Sequence, residues 1–478
     1  MRPTKNGTLH AVAGATPDTG TGVFATARIP TGHPVLEVEP WVSVLATARL
    51  ADTCSNCFGV KTLRDQEVDG TCQAENWATV HKYECKIFKR LYPNVLPTSS
   101  RAVLRIILFQ KYPSDVHKLK FQGFHALESH PTQIMERESD DLLNLMLSAR
   151  AVCEYANTDL TLQEVVEYFS KIDINAFTLT TPFYDHIGIA LEPFAAFCNH
   201  SCSPNAAVEF DQGKLWLRAL RDIEKGDQIF VSYIDNTDPY AIRQSQLSKR
   251  YFFDCKCPKC EREKDTLNDG FLRDVTALDL KIIDDAQREA TELLDTAKPE
   301  KLPASSIRKF RCAMSILRKT SLWPITRQPY VRLRGELIAS LMGEQDYQAA
   351  FVHCAIRHVC VDPTVYPDNW YPGSSVHKWM FVKLLRYLTQ EGELSFAEGI
   401  DLAKYELNLH ILMYSILLDL ETTASNEVPT VEDIYRDALA TFTNAGWTHE
   451  VMEPEIDAQW GKVERLVNEA LQVDEASV

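Results

Sequence analysis

Apolar positions alternate with polar ones near the N-terminus and later recur at helical spacing, and these shifts divide the chain before any chemistry is considered. Val23-Phe24-Ala25-Thr26-Ala27 and Val35-Leu36-Glu37-Val38-Glu39 predict strands flanking the turn Pro30-Thr31-Gly32, where Gly supplies the tight bend. Residues 51–88 differ: they bear Cys and His, have little apolar content, and need a metal to fold because they cannot form a core alone. From about 90 to 172 helical periodicity takes over; within 140–154 it places Leu142, Leu143, Leu145, Met146 and Ala149 on one face. Strand-like sequence returns between 173 and 234, notably 215–219 and 228–233. Beyond Cys260 the pattern is almost wholly helical, with candidates at 276–296, 306–320, 330–342, 347–359, 376–388 and 396–420 broken by Gly and Pro clusters. Helices of this length in succession suggest a repeat array, although the sequence has no clean period. The 478 residues are enough for two or three domains, and the pattern predicts an α+β chain: a β-rich part split by two inserts, then an all-helical C-terminal part.

Composition narrows the function classes. Acidic residues number 66 against 50 basic ones, a net charge of −16, which argues against gripping a phosphate backbone. No direct nucleic-acid partner is expected. No apolar run approaches the roughly 18 residues of a membrane span; residues 102–109 come nearest and are interrupted by Arg105. No membrane association is expected, and the segment 1–6 leads into no apolar core of a secretory signal. In a chain without such a signal, 13 cysteines point to thiols and metal ligands rather than disulfides. Cys153, Cys312, Cys354 and Cys360 are scattered through helix-like sequence and are expected to be core thiols.

The remaining cysteines form two groups. Cys255-Lys256-Cys257-Pro258-Lys259-Cys260 places three thiolates within six residues, which suits one tetrahedral zinc and leaves one ligand missing; Cys202 is the obvious donor. Cys202 belongs to Asn199-His200-Ser201-Cys202-Ser203-Pro204-Asn205, a polar, turn-rich stretch after the apolar Phe194-Ala195-Ala196-Phe197. Ser232-Tyr233-Ile234-Asp235 ends a predicted strand that follows the turn Glu224-Lys225-Gly226-Asp227. The other group is Cys54, Cys57, Cys72 and Cys85, with His81 between the last two.

In their order along the chain, Gly20-Thr21-Gly22, the Cys/His insert, the Asn-His-Ser-Cys-Ser-Pro-Asn stretch, Ser-Tyr-Ile-Asp and Cys-x-Cys-x-x-Cys resemble the SET-and-MYND (SMYD-type) lysine methyltransferases. The resemblance spans residues 10–262 and extends more loosely to the helical end through Tyr347-Gln348-Ala349-Ala350 and Tyr371-Pro372-Gly373-Ser374-Ser375-Val376. It implies a SET domain in two parts, 8–50 and 173–236, interrupted by a MYND-type zinc finger at 51–88 and a helical insert at 89–172. A zinc-bound post-SET segment at 237–264 and a TPR-like helical domain at 265–478 follow. It also implies S-adenosyl-L-methionine (AdoMet) as cofactor, with Gly20, Thr21, Gly22, Asn175, Asn199, His200, Tyr233 and Phe253 around it. Phe177, Tyr233, Tyr251 and Phe253 would wall a lysine channel, and Tyr233 would stand at the methyl-transfer axis. Cys202, Cys255, Cys257 and Cys260 would hold a zinc ion.

The finger departs from the pattern. Its middle Cys-x-x-Cys is missing, and Val68 stands where a Cys is expected four residues before Cys72. The candidate ligands left are Cys54, Cys57, Cys72, His81 and Cys85, enough for one tetrahedral zinc; His81 or Cys85 would complete the shell. The implied activity is AdoMet-dependent N-methylation of histone or other protein lysines by a monomer, with a nuclear or cytoplasmic location. Two alternatives stand beside it: a catalytically weak SET–MYND adaptor recruiting protein partners, and methylation of an amine other than protein lysine.

Overall fold

The computed structural model describes residues 10–16, 20–59, 70–136, 139–264, 276–297, 303–367, 370–392, 394–423 and 429–476. Internal contacts group the chain into two compact units, Met1–Tyr233 with Gln246–Cys255, and Ile234–Ser245 with Lys256–Val478.

The first unit is built on ten short strands: β1 (Ala11–Thr16), β2 (Gly20–Ala25), β3 (Pro34–Val38), β4 (Val42–Leu45), β5 (Phe177–Thr180), β6 (His186–Leu191), β7 (Asn199–His200), β8 (Ala206–Asp211), β9 (Lys214–Ala219) and β10 (Gln228–Val231). They form three sheets, ordered β1-β2-β10-β7, β3-β9-β8 and β4-β6-β5. Val23, Ile229, Leu215 and Ile187 bury their side chains in one shared core. Gly32 adopts φ +80° in the predicted turn, where His33 donates its N–H to Pro30 O at 3.1 Å. The strand expected over 228–233 stops at Val231, so Tyr233 stands just beyond the ladder.

The helical insert packs Thr98–Lys111, Asp115–His125, Ser139–Ala156 and Leu162–Asn175 around Leu104, Ile107, Phe124, Val152 and Val165. In Ser139–Ala156, Ala149 is buried and Leu142, Leu145 and Met146 are half-buried, whereas Leu143 is exposed. Leu143 lies about 100° around the helix from Leu142 and so falls off the stripe at i, i+3, i+4 and i+7. Thr161 and Glu164 form a capping box that starts the helix Leu162–Asn175. At its far end the buried Lys171 Nζ donates to the carbonyls of Phe124, His125 and Leu127 at 3.2, 2.7 and 2.9 Å. The zinc-finger insert carries a continuous helical stretch, Gly70–Asn76, a π turn at Trp77–His81, and Lys82–Leu91. Glu84 on it is buried and accepts from Arg105 Nε and Nη2 at 2.8 and 3.0 Å, a two-pronged ion pair onto the core helix Thr98–Lys111. The Arg105 that interrupts the apolar run is thus the insert's anchor.

The second unit is mainly helical, from Ala277–Ala297 through Pro303–Lys319, Tyr330–Gly343, Tyr347–Ile356, Pro372–Glu391, Leu409–Thr423 and Pro429–Asn444 to His449–Ala476. The helix expected over 396–420 begins only at Leu409. Before it come a hairpin, Phe396–Ala397 paired with Ile400–Asp401, and a 3₁₀ turn at Ala403–Tyr405. Glu398 and Gly399 take φ +49° and +79° there, which a helix excludes, and Asn408 Oδ1 then caps the real helix by accepting from His410 N at 3.1 Å. Of the expected core thiols, Cys354 is buried and Cys153 and Cys360 are half-buried. Cys312 is exposed, on the opposite face of its helix from Phe310, Ala313, Met314 and Leu317.

Replacing Glu84 with Leu strands the Arg105 guanidinium, and such a loss typically costs about 3 kcal/mol. Thermal denaturation should show a lowered first transition, and limited proteolysis should cut near the insert. An unchanged melting curve would mean that other contacts hold the insert.

Candidate functional site

Strand β7 is only two residues long, yet it aligns the site. Asn199 and His200 pair in parallel with Phe230 and Val231 of β10. The loop that follows is locked by Asn205, whose Nδ2 donates to Gln228 O at 2.9 Å and whose Oδ1 accepts from Phe230 N at 2.7 Å. Ser201 N donates to Val231 O at 3.0 Å. Together these bonds thread 199–205 against the end of the central strand.

The threading gives the His200 ring two neighbours. Its Nδ1 accepts the backbone N–H of Tyr233 at 3.0 Å, which leaves the proton on Nε2, 3.3 Å from Cys202 Sγ. Tyr233 is fixed at two further points: its hydroxyl donates to Cys198 O at 2.6 Å, and its carbonyl accepts from the Tyr251 hydroxyl at 3.2 Å. Burial first, then the neighbouring Cys198 and Tyr251, pushes the Tyr233 phenol well above its ordinary range. Burial likewise raises Tyr251. Both stay neutral donors. Ring centroids of Tyr233 and Tyr251 lie 4.9 Å apart, Tyr233 and Phe253 meet edge-on at 6.5 Å, and His200 and Phe253 are 5.9 Å apart. Phe177, on β5, packs half-buried against the same core as Tyr233.

The glycine-flanked segment lies beside Asn199, whose Nδ2 donates to Thr21 O at 3.3 Å. A Cβ on Gly22 would stand 2.5 Å from Gln228 Nε2 and 2.8 Å from Thr16 Cγ2, so that glycine exists for strand packing. Gly20 differs: it has φ +74°, and only Glu128 Oε1, at 3.7 Å, lies within reach of an added Cβ. Bare backbone at 20–21 next to the Asn199 amide fits the polar amino-acid end of a small cofactor. Asn175 ends the helix Leu162–Asn175. Its Nδ2 donates to Glu128 O and to Lys171 O, both at 2.9 Å, so with Lys171 it clamps the turn 124–128.

That clamp brings in residues the sequence did not single out. Glu128 reaches Gly20, and His130 packs its ring 5.1 Å from Phe252, next to Phe253. A Glu and a His in a helix-rich insert read as a solvated face, and nothing local marks them. The Cys198 carbonyl that receives the Tyr233 hydroxyl is a backbone group and has no sequence signal.

Two cysteine groups could hold metal. The Sγ atoms of Cys202, Cys255, Cys257 and Cys260 all lie within 4.8 Å of one another, a four-thiolate set that fits tetrahedral zinc. Cys198 stays outside it, buried, with its thiol pushed up to about 12 by that burial. Cys54, Cys57 and Cys72 form the second group. His81 and Cys85 do not join it, contrary to the expectation that one of them would complete the shell. Both ride the helical stretch that begins at Gly70, which carries them about 13 and 20 Å along its axis beyond Cys72. His81 instead lies between Trp77 and Phe88, at ring distances of 5.8 and 6.3 Å. Val68 falls outside the described residues.

Residues 20–234, which hold the three small sheets and the tyrosine that follows the central strand, match the SET domain family model. Three curated relatives share more of the sequence. The SET domain and MYND-type zinc finger protein 6 of Schizosaccharomyces pombe is 34% identical over 261 residues, covering 52% of this chain and 52% of that protein. Human histone-lysine N-methyltransferase SMYD3 is 29% identical over 263 residues, covering 52% and 61%. Arabidopsis thaliana histone-lysine N-methyltransferase ASHR1 is 25% identical over 399 residues, covering 73% and 82%. The match thus spans only 52% and 61% of the length of the first two relatives. Over about half of its length the chain is similar to SET-and-MYND (SMYD-type) proteins.

Elemental analysis of the purified protein should give about two zinc ions per chain, one for each cysteine group. Chelator titration should remove first the ion held by three thiolates. A value near one would leave the Cys54 group without metal. Cys257→Ser should release the tighter ion and loosen residues 251–253, since binding and local folding are coupled.

Proposed function

We propose that the protein is an AdoMet-dependent protein-lysine N-methyltransferase. The observation that carries this reading is the triple fixing of Tyr233, at its N–H, its carbonyl and its hydroxyl, beside a cluster of aromatic rings. An adaptor needs no such constraint on one phenol. The names of the SMYD3 and ASHR1 relatives support the same class.

AdoMet, when bound, supplies an electrophilic methyl group on a sulfonium. Gly20, Thr21, Asn199 and His200 would hold it, and Phe253 would flank it. Tyr233, Tyr251, Phe253 and Phe177 would enclose the alkyl stem of the lysine. Ring faces favour a cationic head by on the order of 1–2 kcal/mol when water is excluded. Alignment of amine and methyl at near-attack distance is the main contribution, and it can reach several kcal/mol. The neutral Tyr233 hydroxyl, aimed by Cys198 O, places a fixed dipole where positive charge shifts from sulfur to nitrogen. The substrate is a protein, and we place the enzyme in the nucleus or cytoplasm as a monomer with the domain limits expected from the sequence. No described helix is long and apolar enough to cross a membrane.

Calorimetry should detect AdoMet or its demethylated product binding to the intact protein, with His200→Ala weakening it. Absence of binding would leave only the adaptor reading.

Tyr233→Phe removes one oxygen. AdoMet affinity should persist while labelled-methyl transfer to a histone or lysate panel drops by roughly one to three orders of magnitude, or the number of methyl groups added changes. A purely structural tyrosine would instead cost about 1 kcal/mol of stability and leave turnover intact.

The pH dependence follows from the raised phenol. Because its folded-state pKa lies above the ordinary value, the protonated donor persists to higher pH than in the unfolded chain. Turnover should therefore rise toward the substrate amine's pKa near ~10.4, with no falling limb from Tyr233 below that point. A falling limb near pH 8 that is lost in Tyr233→Phe would contradict the assignment.

A further inference from the structure

The carbonyl that aims the Tyr233 hydroxyl belongs to Cys198, at the end of the turn 192–198. The helix Pro193–Ala196 in that turn is four residues long, too short to keep its shape by its own hydrogen bonds. Backbone bonds nevertheless run through the turn: Ala196 N donates to Glu192 O at 3.0 Å, Phe197 N to Phe194 O at 3.2 Å, and Cys198 N to Ala195 O at 3.0 Å. Apolar packing holds it on two sides, with Phe194 and Ala195 in the core of the sheets and Ala196 and Phe197 against the core of the helical insert. Such packing sets depth but not direction, because apolar burial is non-directional. Direction comes from Glu192. Its Oε1 caps the helix by accepting from Phe194 N at 3.4 Å, and the same oxygen accepts from Lys120 Nζ. Glu192 is buried and the Lys120 side chain largely so, which sets the pair apart from a solvated one. Burial pushes the Glu192 carboxyl above its ordinary range, against the pull of Lys120 and then of the Phe194 and Trp41 N–H groups. Lys120 rides the helix Asp115–His125, which is itself pinned along its length. Ser114 caps its start by accepting from His117 N at 3.2 Å, His117 Nδ1 accepts from Trp41 Nε1 at 3.2 Å, and Lys171 holds the Phe124 and His125 carbonyls at its end.

We propose that Glu192, held by Lys120, is a positioning residue for methyl transfer: the buried pair fixes the turn 192–198 and with it the Cys198 carbonyl that aims the Tyr233 hydroxyl. The carbonyl is then set between two supports, the capped turn before it and the β7 pairing of Asn199 and His200 after it. A charged hydrogen bond suits this task because it fixes direction as well as distance. The helical insert thereby shapes the transfer centre through backbone, without a side chain of the pair in contact with the phenol. Only the transfer arm of the test rests on the methyltransferase reading.

The test uses the full-length zinc-loaded protein with Lys120→Met and with the double change Lys120→Met, Glu192→Leu. Removing one partner strands a buried charge, whereas removing both leaves an apolar contact, so the two variants separate stability from positioning. Lys120→Met should lower the melting temperature, and the double variant should recover most of it. In the transfer arm the double variant should still move labelled methyl to a histone or lysate panel about tenfold more slowly, with AdoMet affinity within about twofold of wild type. Hydrogen exchange followed by mass spectrometry should show exchange roughly tenfold faster in its peptides covering 193–200, while those from β8 and β9 keep wild-type rates. Transfer that recovers together with the melting temperature would make the pair a stabilising contact alone and overturn the proposal. Wild-type exchange at 193–200, or an increase spread evenly over the chain, would overturn it as well. If the wild type transfers no methyl group, the functional reading fails, and the exchange arm still decides whether the pair fixes the turn. Should the double variant not fold, Glu192→Gln, which keeps the shape and loses the charge, is read in the same two arms.

Discussion

The parallel pairing of Asn199–His200 with Phe230–Val231 is the constraint on which the site depends. Two residues of ladder cannot hold a chain segment against its lost entropy, since fixing each residue costs about 1–2 kcal/mol. Asn205 makes up the deficit by spending both ends of its amide on the opposing strand, at Gln228 O and Phe230 N. With that lock in place, one seven-residue stretch delivers three functions. Asn199 meets the Thr21 carbonyl, His200 meets the N–H of Tyr233, and Cys202 enters the thiolate cluster. Slippage by one residue would turn each of these side chains to the opposite face.

His200 makes these functions interdependent. Its Nδ1 is an acceptor because the Tyr233 N–H points at it, so its Nε2 must be the donor toward Cys202 Sγ. A thiolate in the metal cluster would orient the same imidazole that orients the tyrosine. Polar partners of this kind around a metal ligand commonly govern both ligand geometry and metal retention. The neutral phenol and the neutral ring also suit a reaction in which positive charge moves without being created. A fixed anion beside the lysine amine would hold it in its protonated, unreactive form.

Much of this was legible in the sequence, and the failures have physical causes. Short apolar runs beside turn residues marked the strands, and the spacing of Cys255, Cys257 and Cys260 announced a metal site because thiolates so close have few other uses. The fourth ligand, Cys202, could be inferred for the same reason. Leu143 and residues 396–408 misled because apolar content was read without geometry: one residue lies off the helical stripe, and the segment contains a left-handed turn at Gly399. Asn175 was visible but its bond to the Glu128 carbonyl was not, since that contact spans 47 residues of sequence. Glu128 and His130 make their contacts across long sequence separations, and a single sequence read by itself carries no trace of that.

The insert between β4 and the helix Thr98–Lys111 is held by more than its cysteines. Among its described residues only Cys54, Cys57 and Cys72 converge. A piece with so little apolar surface would lose its structure if thiolates alone held it. Hydrogen bonds tie the cysteine loop to the helix instead: Asn56 Nδ2 donates to Glu75 Oε2 at 2.8 Å, and Asn76 Nδ2 to Ser55 O at 3.3 Å. Val80 enters the neighbouring core, and the Glu84–Arg105 pair fixes the helix where water is excluded. The Arg105 guanidinium also donates to Ser43 O, on the strand that leads into the insert. Entry strand, insert and core helix thus meet at one arginine.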